Sequence, residues 1–207
     1  MRIETSKEGD KRSYREMFNI SDETIVYGVA ARIYPGKAQK FVIDALHESD
    51  MFDDNRVLLI AGKIVDEEYW NEIKSENAHL FGNKVFYLSE IEDIKAFYSS
   101  VDILVNGGIE AEAFGISVAE GLGSSKPVIA YGLGGPLEMI EDGINGWIIT
   151  EPSLECYIEG FKRTKVNREI LNEMGKNSRK KAVDFSVNSN VVHLLEIIKT
   201  ENGNTTK

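Results

Sequence analysis

The sequence predicts a doubly wound α/β fold: about six parallel strands with helices on both faces of the sheet. Two observations predict it and a third keeps it simple. Short apolar runs rich in β-branched residues recur along the chain, as buried strands do. Each run is followed by a segment whose apolar residues fall at helical spacing, and strand–helix units of this size build a parallel sheet covered on both sides. There is no internal repeat, low-complexity tract or linker, and 207 residues suit one α/β domain with a well-buried core.

The elements follow in order. The first twenty residues are charged and lack a strand pattern, apart from a short helix over 13–18. Thr24 to Ala30 is the first strand, and Pro35-Gly36 marks a turn before a helix carrying Phe41, Ala45 and Leu46. Arg56 to Gly62 is the second strand, followed by a charged amphipathic helix over 66–78 with Tyr69, Trp70 and Ile73 on one side. Lys84 to Leu88 is the third strand and 91–99 the next helix. Asp102 to Val105, Pro127 to Ala130 and Gly146 to Ile149 complete the sheet, with a helix near 115–123 between the first two of these. From about 153 the pattern is helical, punctuated at Asn167 and near Phe185-Ser186, and Leu194, Leu195 and Ile198 form an apolar stripe on the last helix. Residues 201–207 read as a frayed tail.

Composition excludes several classes. A net charge of -10 argues against nucleic-acid binding, which needs a basic face. The basic clusters Lys162-Arg163-Thr164-Lys165 and Arg179-Lys180-Lys181 read as solvated helix surface, the alternative being a patch resting on anionic lipid or a partner. No apolar run approaches the roughly 20 residues that span a bilayer, and the first residues lack a signal core. A single cysteine, Cys156, excludes an internal disulfide and fits a reducing compartment. His47, His79 and His193 have no metal-ligand spacing, and Trp70 and Trp147 read as packing residues.

Ligands of such sheets sit beyond the carboxyl ends of the strands, and the unusual residues fall there. After the first strand, Arg32 and Lys37 lie across a tight turn, with Lys37 expected in the first turn of the following helix. Two cations there suit a diphosphate, though two ordinary surface charges read the same way. After the fourth strand, Gly115 opens a helix whose free N–H groups at Gly115, Ile116 and Ser117 could meet an anion. Glu112 stands just before that helix, and Glu120 lies on an otherwise small, apolar stretch of it. A carboxylate there needs a partner: vicinal ribose hydroxyls would serve, and so would a structural salt bridge. After the fifth strand, Gly132 to Glu138 permits close backbone approach to a ligand and makes an ordinary loop-to-helix junction, with Pro136 and Glu138 suited to the first turn.

Together these segments resemble the C-terminal domain of the family 4 retaining glycosyltransferases of the GT-B fold, one Rossmann-like half of that architecture. An Arg and a Lys five residues apart match at Arg32 and Lys37. Two glutamates with seven residues between them and a Phe-Gly in the interval match at Glu112, Phe114-Gly115 and Glu120. The Pro127 to Ala130 strand, the Gly134 to Glu138 turn and the Asp142 to Gly146 hairpin follow in family order over about residues 20–150. Departures are Ala31 and Ala38, where Gly is common, and Gly121 to Ser125 in place of an Ala-rich helix end.

The resemblance implies transfer of a hexose-type sugar from a UDP-sugar or GDP-sugar, with retention and without a metal or other cofactor. Arg32 and Lys37 would hold the donor diphosphate, Glu112 the sugar hydroxyls near the reacting carbon and Glu120 the ribose. The backbone of Phe114, Gly115 and Ile116 would complete the phosphate cradle, and Leu88 and Ser89 would lie near the base. The acceptor, a glycan or lipid-linked oligosaccharide, would bind a second, N-terminal domain or subunit. Residues 1–20 read as an interdomain lead-in, 21–200 as the nucleotide-sugar-binding domain. The implied partners are the nucleotide sugar and that second domain, with homodimerisation of the isolated domain and peripheral membrane association of the full enzyme left open. The implied location is the cytoplasm, or the inner face of its membrane. Rival readings are a non-catalytic glycosyltransferase-like subunit, an epimerase-like domain and a nicotinamide-dependent dehydrogenase. The last wants Gly-x-Gly-x-x-Gly after the first strand, where Ala31 to Gly36 stands instead.

Overall fold

The computed structural model describes residues 14–110 and 113–185. The expectations for residues 1–13, for Glu112, for the stripe at Leu194, Leu195 and Ile198 and for the tail lie outside the described residues. A short helix α1 (Tyr14–Met17) leads into β1 (Ile25–Ala30) and α2 (Gln39–Glu48). Then come β2 (Arg56–Ala61), α3 (Glu67–Glu76), β3 (Val85–Tyr87) and α4 (Ile94–Ser100). The second half runs β4 (Ile103–Asn106), α5 (Ile116–Gly123), β5 (Val128–Tyr131), α6 (Pro136–Met139), β6 (Gly146–Ile149), α7 (Leu154–Arg163) and α8 (Arg168–Ala182).

The strands form one six-stranded sheet in the order β3-β2-β1-β4-β5-β6, and every neighbouring pair is parallel. The predicted architecture holds: a Rossmann-like α/β sheet. Along β2 the side chains alternate between two cores, as the period of a strand requires. Leu58 and Ile60 join Tyr27, Val29, Ile43, Leu46, Ile73, Tyr157 and Phe161 on one face, under α2, α3 and α7. Val57 and Leu59 join Val26, Phe97, Leu104, Val118 and Leu122 on the other, under α4 and α5. Trp70 and Trp147 are both buried in the first core.

Helix starts are fixed locally. Asp66, Asp93, Ser153 and Asn167 each accept the N–H three residues on, at Tyr69, Ala96, Cys156 and Ile170. Such a cap is worth about 1 kcal/mol, and it sets where each strand-to-helix loop stops. One boundary departs from expectation. Lys37 is not in the first turn of α2; it closes a 3-10 turn (Pro35–Lys37), and α2 begins only at Gln39. The reason is Ala38, whose left-handed backbone (φ 50°) breaks the two apart. Lys37 therefore does not oppose the dipole of α2 from within its first turn.

Candidate functional site

The strand order creates the site. From β1 the chain crosses to β2 on one side, whereas β4 crosses to β5 on the other. The chain thus leaves β1 and β4 in opposite directions, and a crevice opens at the carboxyl end of the sheet where they diverge. That crevice is a cavity of about 540 Å³. Its walls are Ala30 and Ala31 from the end of β1, Asn106 to Gly108 from the end of β4, and Ala113 to Ser117 at the start of α5, with Lys37 and Glu120 reaching in.

Each wall has a local cause. In the β1 loop, Ile33 is fully buried and anchors the chain, so its neighbours Arg32 and Tyr34 face outward. Gln39 Nε2 donates to the Arg32 carbonyl at 2.9 Å and ties that loop to the start of α2. In the β4 loop, the buried Tyr157 hydroxyl donates to the Gly107 carbonyl from below, and burial pushes the tyrosine's pKa well up. Asn106 Nδ2 donates to Ser117 Oγ at 3.3 Å, which ties the strand end to the helix start.

Gly115 caps α5 with a left-handed backbone (φ 79°), a conformation that suits glycine. The first N–H groups of α5 have no partner within the helix and open on the cavity, where the helix dipole favours an anion. Among the glycines after β5, Gly135 is required by packing. A Cβ on Gly135 would stand 2.3 Å from the Phe114 carbonyl oxygen, so that glycine lets two loops of the rim touch.

Glu120 lines the cavity one turn along α5. Among the described residues it is held by a hydrogen bond rather than a salt bridge: Tyr98 on α4 donates its hydroxyl to Glu120 Oε2 at 3.0 Å. Burial, and then the charge of Glu120, hold the Tyr98 proton well above the usual tyrosine range. Tyr98 is therefore a fixed donor that aims the carboxylate.

The structure brings Lys37, Phe114, Gly115, Ile116 and Glu120 together around one cavity. Arg32 does not line it; it is exposed at the rim, with its guanidinium 5.8 Å from the centre of the Tyr34 ring. Leu88 and Ser89 do not line it either. Leu88 packs against the core under α4, and Ser89 holds a left-handed turn whose carbonyl accepts from Gly62 N at 2.8 Å. Sequence reasoning missed Tyr98, because nothing local links a helix tyrosine to a glutamate 22 residues on. It also gave no role to Gly107-Gly108, although paired glycines directly after a strand signal a close backbone approach.

Other candidates resolve as surface. Lys162, Arg163, Lys165 and Lys181 pair with Glu159, Asp142, Asp54 and Glu141. His47 and His79 are exposed and meet edge to face at 5.3 Å. Among the described residues, no group of three or more His, Cys, Asp or Glu could hold a metal ion, and no helix is long and apolar enough to cross a membrane.

A crevice with a lysine, free helix N–H groups and an aimed carboxylate can take a ligand that joins an anion to hydroxyls. The family model described as "Glycosyl transferases group 1" matches residues 10–181. This chain belongs to that family.

Among its relatives, an uncharacterized glycosyltransferase of Methanocaldococcus jannaschii is 28% identical over 172 residues, 82% of this chain and 46% of the relative. Anabaena HepE, solved in complex with UDP and glucose, superposes with a TM-score of 0.78 at 22% identity, over 90% of this chain and 51% of that one. The C-terminal domain of a group 1 family protein (LpcC) from Francisella tularensis superposes at 0.72 with 18% identity, over 86% of this chain and 95% of that domain. The chain thus spans about half the length of the curated relatives it matches. Its fold is that of the C-terminal half of a GT-B glycosyltransferase.

Proposed function

We propose that this group 1 domain binds the nucleotide-sugar donor of a retaining, family 4 hexosyltransferase that acts on a glycan or lipid-linked acceptor. The observation that carries the reading is the cavity at the β1/β4 divergence, with Lys37 and the start of α5 on its walls and Glu120 aimed by Tyr98. The donor diphosphate would lie between Lys37 and the N–H groups of α5, and Arg32 would reach it from the rim. As the bond to the sugar breaks, negative charge grows on the diphosphate, and these groups stabilise it where it forms. Glu120 would accept from the ribose hydroxyls; Glu112, outside the described residues, would meet the sugar. No metal is required when protein cations and N–H groups carry the leaving charge. HepE, with UDP and glucose bound, supports a UDP-sugar as the first donor to test.

A second domain or subunit would bind the acceptor and close over the cavity. Phe114, Ile116, Leu133 and Leu137 are exposed apolar residues on the loops and helices after β4 and β5, where such a domain, or a second copy, would cover them. Residues 21–200 would form the donor domain and 1–20 its lead-in, in an enzyme working in the cytoplasm or at the inner face of the membrane. The chain alone would bind donor and transfer sugar poorly.

A thermal-shift titration with UDP, GDP, ADP and NAD tests this. A ligand at 100 times its dissociation constant adds about 2.7 kcal/mol of stability. Stabilisation by one nucleoside diphosphate, reduced in Arg32→Ala and Glu120→Gln, is the expected result. Stabilisation by NAD alone would contradict the proposal and favour the dehydrogenase reading; none by any nucleotide would contradict it and favour the non-catalytic subunit.

A further inference from the structure

Arg32 poses a problem for the donor site: it is exposed at the rim, and a free arginine has much rotamer entropy to lose on binding. The structure holds it from the side. Tyr34 has an extended backbone (φ −166°, ψ 164°), and along extended chain residues two apart share a face. Ile33 points into the core, so Arg32 and Tyr34 stand together outside, the guanidinium 5.8 Å from the ring centroid. The ring is tethered in turn: the Tyr34 hydroxyl donates to Glu110 Oε2, in the loop after β4, at 3.2 Å.

That tether joins the two loops of the cleft. Ile109 N donates to the Gly36 carbonyl at 3.1 Å. A Cβ on Gly36 would stand 2.6 Å from the Glu110 carboxyl and from the Tyr34 ring, so a side chain there would displace one or both from this arrangement. Resting on the donor-site reading above, we infer that Tyr34 is a positioning residue. Its ring presents Arg32 to the donor diphosphate, and Glu110 fixes the ring across the cleft. Tyr34 touches no ligand atom in this account; it acts through Arg32, on the β-phosphate side of the nucleotide.

Calorimetric titration of the 207-residue chain with UDP and UMP, and with GDP and GMP or ADP and AMP if uridine nucleotides do not bind, tests this. Tyr34→Leu removes ring and hydroxyl, and it should weaken the diphosphate about fivefold while leaving the monophosphate within twofold. Tyr34→Phe keeps the ring but drops the Glu110 tether, so it should weaken the diphosphate less than Tyr34→Leu, about twofold, and leave the monophosphate unchanged. In an Arg32→Ala background Tyr34→Leu should add nothing, because the residue it acts through is gone.

Equal losses for diphosphate and monophosphate would mean that Tyr34 only supports the loop, and would overturn the inference. So would a full effect of Tyr34→Leu in the Arg32→Ala chain, or an unchanged diphosphate affinity. If the parent chain binds none of these nucleotides, the donor-site reading itself fails and this inference falls with it.

Discussion

The two ends of the sheet are built on opposite principles. At the amino end, Asp102 before β4 receives Arg15 Nη2 at 2.5 Å, Arg168 Nη1 at 3.0 Å and the Val26 N–H at 2.8 Å. Arg15 and Arg168 spend further donors on the carbonyls of Ser100, Ser21, Thr24 and Asp22. Asp102 is thus shared by two guanidinium groups that also fill main-chain acceptors. At the carboxyl end the loops are rich in glycine, helix N–H groups open on a cavity and Phe114, Ile116, Leu133 and Leu137 stay exposed. The contrast teaches where this domain keeps stability and where it keeps binding capacity: donors satisfied internally hold the fold, and donors left over are available to a ligand.

The comparison breaks most easily at Asp102. Asp102→Ala leaves two guanidinium groups and a strand N–H without their shared acceptor, and should destabilise the domain by about 3–5 kcal/mol. Urea denaturation measures it. A loss under about 1 kcal/mol would mean that solvent already supports those arginines.

At the mouth the expected effects are reversed. Glu120→Gln keeps an oxygen for the Tyr98 hydroxyl, so stability should change by less than about 1 kcal/mol. Nucleoside diphosphate affinity should fall tenfold or more, because a charged acceptor for two hydroxyls is lost. Tyr98→Phe should weaken binding less, by freeing the carboxylate to wander. Calorimetric titration ranks the two.

Ala38 sharpens the contrast from the other side. Its left-handed backbone costs an alanine about 1 kcal/mol that a glycine avoids. Ala38→Gly should therefore raise stability by up to about 1 kcal/mol, read from the thermal midpoint. A loss would show that the methyl, buried in the core, outweighs the strain.

The smallest effect concerns pH. Burial alone would raise the Asp142 carboxyl, but the Arg163 fork and the Ile148 N–H outweigh it and hold the pKa below the ordinary carboxylate value. A depressed folded pKa contributes stability above the unfolded value, near 3.9, and loses it as pH falls through the folded one. Asp142→Asn should thus cost about 1 kcal/mol or less at pH 7, since the pair is exposed, and nothing once the parent is protonated. An unchanged difference down to pH 2 would contradict that sign.

The sheet was legible because its strands are buried on both faces and read as continuous apolar runs. The start of α5 was legible because Phe114-Gly115 and Glu120 lie on one short segment. What a single segment does not hold was hidden. Strand order puts Lys37 opposite Gly108, and no local pattern encodes which strands are neighbours. Tyr98 and Glu120 meet only because α4 and α5 cover the same face of the sheet. Lys37 reads as helical because an alanine does not by itself announce a left-handed backbone; the one pointer is that Ala38 stands where the family it resembles commonly has Gly. Asp102 reads as the first residue of a strand, and its two arginines come from opposite ends of the chain.

The most direct test of the account is where a nucleotide binds. Titrating UDP into isotope-labelled protein and following amide chemical shifts, with GDP and ADP in parallel, would answer it. The account predicts that the largest changes fall at Gly107, Gly108 and Gly115 to Ser117, with small ones beside Asp102 and Arg168. Saturable changes centred elsewhere, or none with any of the three, would contradict a donor site at the divergence of β1 and β4.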